Sequence, residues 1–354
     1  MTTTLSIIIP TLNEAQSLPL LLADLQRQRG IRLDVIVGDG GSSDRTRQVS
    51  LAGGARFVQA RRGRGAQMND AAAQAHGVYL LFLHADSRLE DPFLLADALQ
   101  ALRKASWKTP LVAGHFSLSF QRSSRAHELS YRYIEAKTRL NRVNTTNGDQ
   151  GLLLSRNWFE HVGGFDERLP FLEDQRMAEI LRLQGRLITL PGTLVTSARR
   201  FESEGFFQRY LSMGLIMVAF STGLDDFFKR LPQIYRLHHQ CGHLLLSPIV
   251  HGFFSTLFFP ASLPGINRRI ERIGAYLAQN CWQPFFFIDV VLQTIFKQKS
   301  DWMLGVYDRI VGQKTPSNLV ALLLGWGAVC LFGGVLMPLI WCWEKMEKWL
   351  GRGR

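Results

Sequence analysis

The sequence has few of the features that would assign it quickly. Among its 354 residues are four cysteines, Cys241, Cys281, Cys330 and Cys342. All lie in the last third and none forms a CxxC pair, which excludes a zinc knuckle and a disulfide framework. No export signal opens the chain, because Leu5–Ile9 is too short for an h-region and stops at Pro10. A reducing cytosol is therefore expected for the N-terminal part. No fixed-period repeat and no low-complexity tract occurs. Acidic residues are in deficit, 29 against 41 Lys and Arg, and the resulting net charge of +12 calls for an anionic partner. Apolar residues are not lacking. At 46% hydrophobic and 20% charged, the chain has ample surface to bury, and wholesale disorder is excluded.

Up to about residue 90, short β-branched runs alternate with helical patterns. Leu5–Ile9, Asp34–Val37, Ala55–Gln59 and Val78–Leu83 read as strands; Leu18–Gln28, a segment from Arg45 and Ala66–Ala75 read as helices. The strands are continuously apolar, which predicts a mostly parallel, doubly wound α/β sheet covered on both faces. Such Rossmann-like sheets bind ligands beyond the C-terminal ends of their strands. Further on, a helix over Pro92–Lys104, a strand near Leu111–Phe120 and a polar segment to Asn147 are expected. Gly151–Leu154, helices at Arg156–Val162 and from Glu173, and two strands at Leu187–Leu190 and Thr193–Thr196 complete the pattern.

After Phe201 the composition turns to Phe, Met and Leu at helical spacing. Leu319–Trp343 carries no charge and is long enough to cross a bilayer of about 30 Å. Basic residues lie on both sides of it: Lys297, Lys299 and Lys314 before, and Lys345, Lys348, Arg352 and Arg354 after. The positive-inside rule gives no orientation from these alone. A tail on the same side as the catalytic part would need a second or re-entrant segment, for which His243–Pro264 is the candidate.

The chemistry-bearing motifs follow the strands. Ile9-Pro-Thr-Leu-Asn-Glu14 sets an amide and a carboxylate after the first, where a plain helix cap is the bland alternative. Gly38-Asp-Gly-Gly-Ser-Ser-Asp44 follows the second. Its glycines permit close approach, Asp39 could accept from a base or a ribose, and the spacing fits neither GxGxxG nor a Walker loop. Arg61-Arg-Gly-Arg-Gly65 leads into Ala66-Gln-Met-Asn69, and its arginines suit a diphosphate. The loop is short and has no interleaved aromatics, so nucleic acid is not expected as a partner. His84-Ala-Asp86 sets a carboxylate where Mg²⁺ or Mn²⁺ could bridge phosphates, with His84 read as a packed ring. Gly148-Asp-Gln-Gly151 and Leu172-Glu-Asp174 supply further carboxylates, and Asp174 could serve as a general base. Thr196-Ser-Ala-Arg-Arg-Phe201 offers Arg199 and Arg200 to a leaving diphosphate or an anionic acceptor.

In order and spacing, IPTLNE, VGDGGSSD, RRGRGAQMN, FLHADS, NGDQG, LEDQR and SARRF resemble the family-2 glycosyltransferases, and within them the branch of arsenosugar biosynthesis. The resemblance covers about residues 4–236. It implies a GT-A fold and transfer of one sugar from a UDP- or GDP-type donor, inverting and assisted by a divalent cation. It also implies a donor-facing set of Pro10, Thr11, Asn13, Glu14, Asp39, Gly40, Arg64, Gly65, Asn69, His84 and Ala85. Asp86 would hold the metal, Asp174 beside Glu173 would be the base, and Asp149 and Gln150 would lie near the acceptor. Two departures stand out. The family's DxD motif reads His84-Ala-Asp86, and SARRF replaces QxxRW, which argues against polymer synthesis. The expected organisation is a catalytic domain over 1–236, a helical hydrophobic extension over 237–315, and a transmembrane helix with a basic tail over 316–354. The catalytic part would face the cytoplasm, and the acceptor would be small or lipid-linked. A polyprenyl-phosphate glycosyltransferase and a non-catalytic nucleotide- or phospholipid-binding membrane module are the alternatives.

Overall fold

The computed structural model describes residues 4–107, 109–238, 244–259, 261–297, 300–312 and 316–349. Two compact units result, Met1–Ala198 and Arg199–Arg354.

The first unit is the α/β body. Its strands are β1 (Thr4–Thr11), β2 (Arg32–Asp39), β3 (Arg56–Gln59), β4 (Tyr79–Phe82), β5 (Val112–Gln121), β6 (Leu152–Ser155) and β7 (Arg186–Ser197). Its helices are α1 (Leu18–Gln26), α2 (Thr46–Ala52), α3 (Arg64–Ala72), α4 (Leu94–Ser106), α5 (Glu128–Thr138), α6 (Arg156–His161) and α7 (Glu173–Gln184). The sheet runs β3-β2-β1-β4-β6-β5-β7. β1 to β4 are mutually parallel and β7 is parallel to β5, whereas β6 is antiparallel to both neighbours.

The apolar runs explain the layering. Ile7, Ile8 and Ile9 are all fully buried because successive side chains enter opposite cores. One core gathers Leu18, Leu21, Leu95 and Leu102 from α1 and α4. The other gathers Met68, Trp158, Phe159 and Leu181 from α3, α6 and α7. Each such side chain contributes about 1.5–3 kcal/mol by leaving water. The parallel strands end together, so the turns after β1, β2 and β4 share one rim.

Two local expectations are corrected. The two strands expected at Leu187–Leu190 and Thr193–Thr196 are one strand, β7, whose pairing with β5 shifts between His115 and Ser117. A bulge of this kind breaks the alternation that would mark a single strand. The polar segment before Asn147 contains α5, whose buried face is made of Tyr131, Tyr133 and Thr138 and so carries no aliphatic stripe.

The second unit is helical: α8 (Arg199–Glu204), α9 (Phe206–Thr222), α10 (Asp225–His238), α11 (Ser247–Phe258), α12 (Leu263–Gln279), α13 (Trp282–Phe296), α14 (Trp302–Ile310), α15 (Asn318–Leu331) and α16 (Met337–Trp349). One π-helical turn, Phe332–Leu336, joins the last two without a break. Asp289 of α13, 1% exposed, accepts from the backbone N–H groups of Met303 and Leu304 at 2.8 Å each and so fixes the start of α14. The boundary expected at residue 236 falls inside α10. That helix packs into the unit through Phe227, which meets Phe253 of α11 edge-on at 5.8 Å. Within the candidate second membrane segment, the described residues include α11 and the start of α12, and Ile249, Val250 and Leu257 are fully buried. Asn318–Met346 is one helical run long and apolar enough to cross a bilayer. Cys241, His243, Lys299, Lys314, Arg352 and Arg354 lie outside the described residues, as does the side chain of Lys348.

Candidate active site

The rim of the parallel strands begins with two loops stitched to each other. Beyond Pro10 and Thr11, Asn13 takes a left-handed backbone conformation (φ 59°), which Asn tolerates better than most residues. Its N–H donates to Ser42 Oγ at 2.7 Å, and its side-chain oxygen accepts from the Ser43 N–H at 2.8 Å. The Glu14 N–H donates to Thr46 Oγ1 and the Ala15 N–H to Asp44, at 2.9 and 3.1 Å. Asp39 is 2% exposed and accepts from Thr11 Oγ1 and from the N–H groups of Gly41 and Ser42. Its carboxylate thus builds the turn. A Cβ on Gly40 would fall 2.8 Å from the Gln67 amide, which donates to the Thr11 carbonyl, so a larger residue here would have to displace that amide.

The arginine loop divides its labour. Arg61 binds Asp70 and Glu167 at 2.6 and 2.5 Å. Asn69, expected along the donor, uses its amide on the Phe165 backbone and on Glu167, and so holds the 165–167 loop against α3. Gly65 is buried beneath that loop, 3.3 Å from the Asp166 carbonyl by the position of a Cβ. Arg64 turns inward. It pairs with Glu173 and lies 3.8 Å from Asp174. Burial opposes its charge, but the two carboxylates hold the guanidinium above its ordinary value. Leu172, in a left-handed conformation (φ 64°) unusual for a branched side chain, delivers Glu173 and Asp174 to this point at the head of α7.

His84 corrects the reading of a merely packed ring. Its Nδ1 lies 2.6 Å from Asp149, and its Nε2 is 3.5 Å from Arg64. Burial alone would favour the neutral ring, yet the Asp149 carboxylate raises the net affinity for the proton. Gly148 wedges between the two clusters: its N–H donates to Asp174, and a Cβ would fall 2.8 Å from both Asp174 Oδ2 and His84 Nε2. A pocket opens here, with His84, Gly148 and Asp174 over a floor of Met68, Phe82 and Phe165. Ala85 is buried and Asp86 half-buried on the turn that follows β4.

Gln150 is bonded on the inside of the fold. It is fully buried, accepting from the Asn147 N–H and donating to the carbonyls of Thr138 and Phe116, with His115 Nδ1 at 3.0 Å. His115 is itself fully buried, and burial pushes its ring down to about 4. Arg199 and Arg200 are exposed at the start of α8, in the second unit.

The structure therefore joins Arg64, His84, Asp149, Glu173 and Asp174, while the side-chain amides of Asn69 and Gln150 bond within the fold. The His84–Asp149 pair and the wedge at Gly148 were missed, because no spacing in the sequence links residue 84 to residues 148–149. Gly148-Asp-Gln-Gly151 was the available signal. Among the described residues, no group of three or more His, Cys, Asp or Glu is gathered as a metal cage.

Residues 6–163 match the family described as Glycosyl transferase family 2. Among solved structures, the chain is similar to the mannosyltransferase PcManGT from Pyrobaculum calidifontis in complex with GDP-Man and Mn²⁺. The identity is 19% and the TM-score 0.48, over 84% of this chain and 89% of that one. It is also similar to S. aureus TarS 1-349 in complex with UDP, at 14% identity and a TM-score of 0.46, over 93% and 91%. No curated protein matches the sequence. By the family match over 6–163, this chain carries a glycosyl transferase family 2 domain in its first unit.

Proposed function

We propose that the chain is an inverting glycosyltransferase that moves a single sugar from a UDP- or GDP-type donor. The observation that carries this reading is the chain of contacts that joins Asp149 to His84, His84 to Arg64, and Arg64 to Glu173 and Asp174, beside a pocket lined by His84, Glu173 and Asp174. Asp174 takes the proton of an acceptor hydroxyl as that oxygen attacks the anomeric carbon from the side opposite the donor phosphate. The carbon–oxygen bond to the nucleoside diphosphate breaks, and the electron pair leaves with it. Arg64, fixed beside the base by Glu173, stabilises that charge with a guanidinium suited to phosphate oxygens. The stitched loops at Asn13–Ser42 and Glu14–Thr46 receive the nucleoside.

A divalent cation fits this site in one form. Asp86 is a lone half-buried carboxylate, so Mg²⁺ or Mn²⁺ would take one protein ligand, donor phosphate oxygens and water, a coordination that Mg²⁺ favours. When bound it neutralises charge on the diphosphate.

The motif likeness to the arsenosugar branch favours a small, soluble acceptor. The apolar run Asn318–Met346 favours a polyprenyl phosphate and attachment to a membrane, with the first unit on its cytoplasmic face. Incorporation of labelled sugar into a lipid extract, against an aqueous product, separates the two acceptors. The enzyme reading is tested with a panel of nucleotide sugars and Mg²⁺ or Mn²⁺, scored for released nucleoside diphosphate. Asp174→Asn is expected to lower release by about 10²–10⁴-fold while nucleotide still raises the melting temperature. If no donor is bound or cleaved, the reading fails.

A further inference from the structure

Length and composition suggest that the helical run α15 to α16 crosses a bilayer. Its packing argues against an upright placement. One stripe of the run is covered, with Ala321, Gly325 and Val329 all buried. The backbone of α12 touches it there: a Cβ on Gly274 would lie 1.7 Å from the Ala321 carbonyl oxygen, and one on Gly325 would lie 2.1 Å from that of Ile270. The residue numbers run in opposite senses, so the helices are antiparallel. Further along, Phe254 of α11 stacks on Phe332 at 6.2 Å, and Glu344 accepts from the N–H groups of Leu246 and Ser247 at 2.6 and 3.2 Å. Partner helices thus accompany the run from residue 321 to residue 344, about 34 Å at roughly 1.5 Å per residue, more than the hydrocarbon thickness of about 30 Å.

A crossing would carry those partners in with it, and they are unsuited to lipid. Arg268, Arg269, Glu271 and Arg272 of α12 flank the contact with Gly325. Arg269 donates to the carbonyls of Thr256 and Leu257 at the end of α11. The chain leaves helical form between Phe258 and Leu263, beside the middle of the run, where Phe259 is 75% exposed. Hydrocarbon tolerates neither irregular backbone facing lipid nor clustered charge.

We propose that this run lies in the plane of a membrane surface as a monotopic anchor, with the helices packed on it standing on the aqueous side. This rests on the membrane attachment proposed above and specifies its form. The uncovered face, with Leu319, Leu323, Leu331, Val335, Leu339 and Trp341 all about half exposed or more, enters the boundary between headgroups and acyl chains. Basic residues at both ends, Lys297 and Arg309 before and Lys345 after, then need no topological conflict, since both ends lie on one side. The net charge of +12 matches a bilayer rich in anionic lipid.

The test uses the full chain with its four cysteines changed to serine, carrying Asn318→Cys or Lys345→Cys, on sealed vesicles of phosphatidylglycerol and phosphatidylcholine. An impermeant maleimide labels both variants from outside without detergent if the run lies in the plane. If one position labels only after detergent, the run crosses and the proposal is overturned. The pair Leu331→Glu and Leu339→Glu is expected to lower flotation with the vesicles about tenfold or more. Absence of flotation by the parent chain, whether or not it dimerises, overturns the anchor and its membrane premise together. Nucleoside diphosphate release in solution reports separately on the enzyme reading.

Discussion

Gly148→Ala is the most local perturbation of the site. The added methyl carbon would sit 2.8 Å from Asp174 Oδ2 and 2.8 Å from His84 Nε2, inside ordinary contact with both. Neither neighbour is free to withdraw: Asp174 accepts from the Gly148 and Gln175 N–H groups, and His84 is held by Asp149. Relief requires a shift of roughly half an ångström, and a displacement of about 1 Å can cost about 10²-fold in rate, so a loss of about tenfold is expected. Overpacking of this kind also costs about 1–3 kcal/mol. The assay is nucleoside diphosphate release over a range of donor concentrations, beside a thermal melt, and Gly214→Ala serves as the control because its Cβ would meet nothing within 4 Å. The expected result is a lower kcat with a small change in KM for the donor. Full activity with an unchanged melt would refute the idea that Gly148 is a spacer between the two carboxylate clusters.

Three further outcomes follow from named contacts. His115 titrates at about 4 in the fold against about 6.5 when exposed, so folding disfavours its proton. The stability it contributes is complete above about pH 6.5 and declines by about 3 kcal/mol as pH falls toward 4. Urea unfolding at pH 7 and pH 4.5 should show a gentler decline in His115→Leu than in the parent, and equal declines would exclude the assignment. Asp289→Ala leaves two N–H groups at the head of α14 without their acceptor and should cost about 1–2 kcal/mol, read as the earlier melting of the second unit. Gly274→Val puts a side chain where the Ala321 carbonyl already lies, and limited proteolysis should then cut α15 or α12 while sparing the first unit; resistance equal to the parent would contradict the backbone contact.

What the sequence made legible was whatever local chemistry decides. The buried runs of β1, β2 and β4 were plain because a sheet covered on both faces needs no alternation. Loops rich in Gly, Asn and Ser marked the rim, and Arg64 and Asp174 were each singled out, for the donor and as a base, without any sign in the sequence that they meet. Contacts between distant segments were not legible. Asn69 and Asn13 are both asparagines after strands, yet one holds a loop at 165–167 and the other a neighbouring turn. Gln150 was set near an acceptor by the motif resemblance alone, and its bond to the Thr138 carbonyl depends on α5, a helix that its tyrosine-based face had hidden. The helix at 318–346 was visible by composition, but the charges of α12 on which its proposed orientation rests lie some fifty residues away in the chain.

The stitching between the turns after β1 and β2 also bears on how ligand affinity arises. Fixing a backbone residue costs about 1–2 kcal/mol of conformational entropy. Here the bonds from Asn13, Glu14 and Ala15 to Ser42, Thr46 and Asp44 are made before any ligand arrives. If these turns receive the nucleoside as proposed, it meets little of that cost, so association should be rapid and the heat-capacity change small. Cutting one stitch, as in Asp44→Ala, would lower affinity by reducing the fraction of molecules ready to bind, without removing a single contact to the ligand.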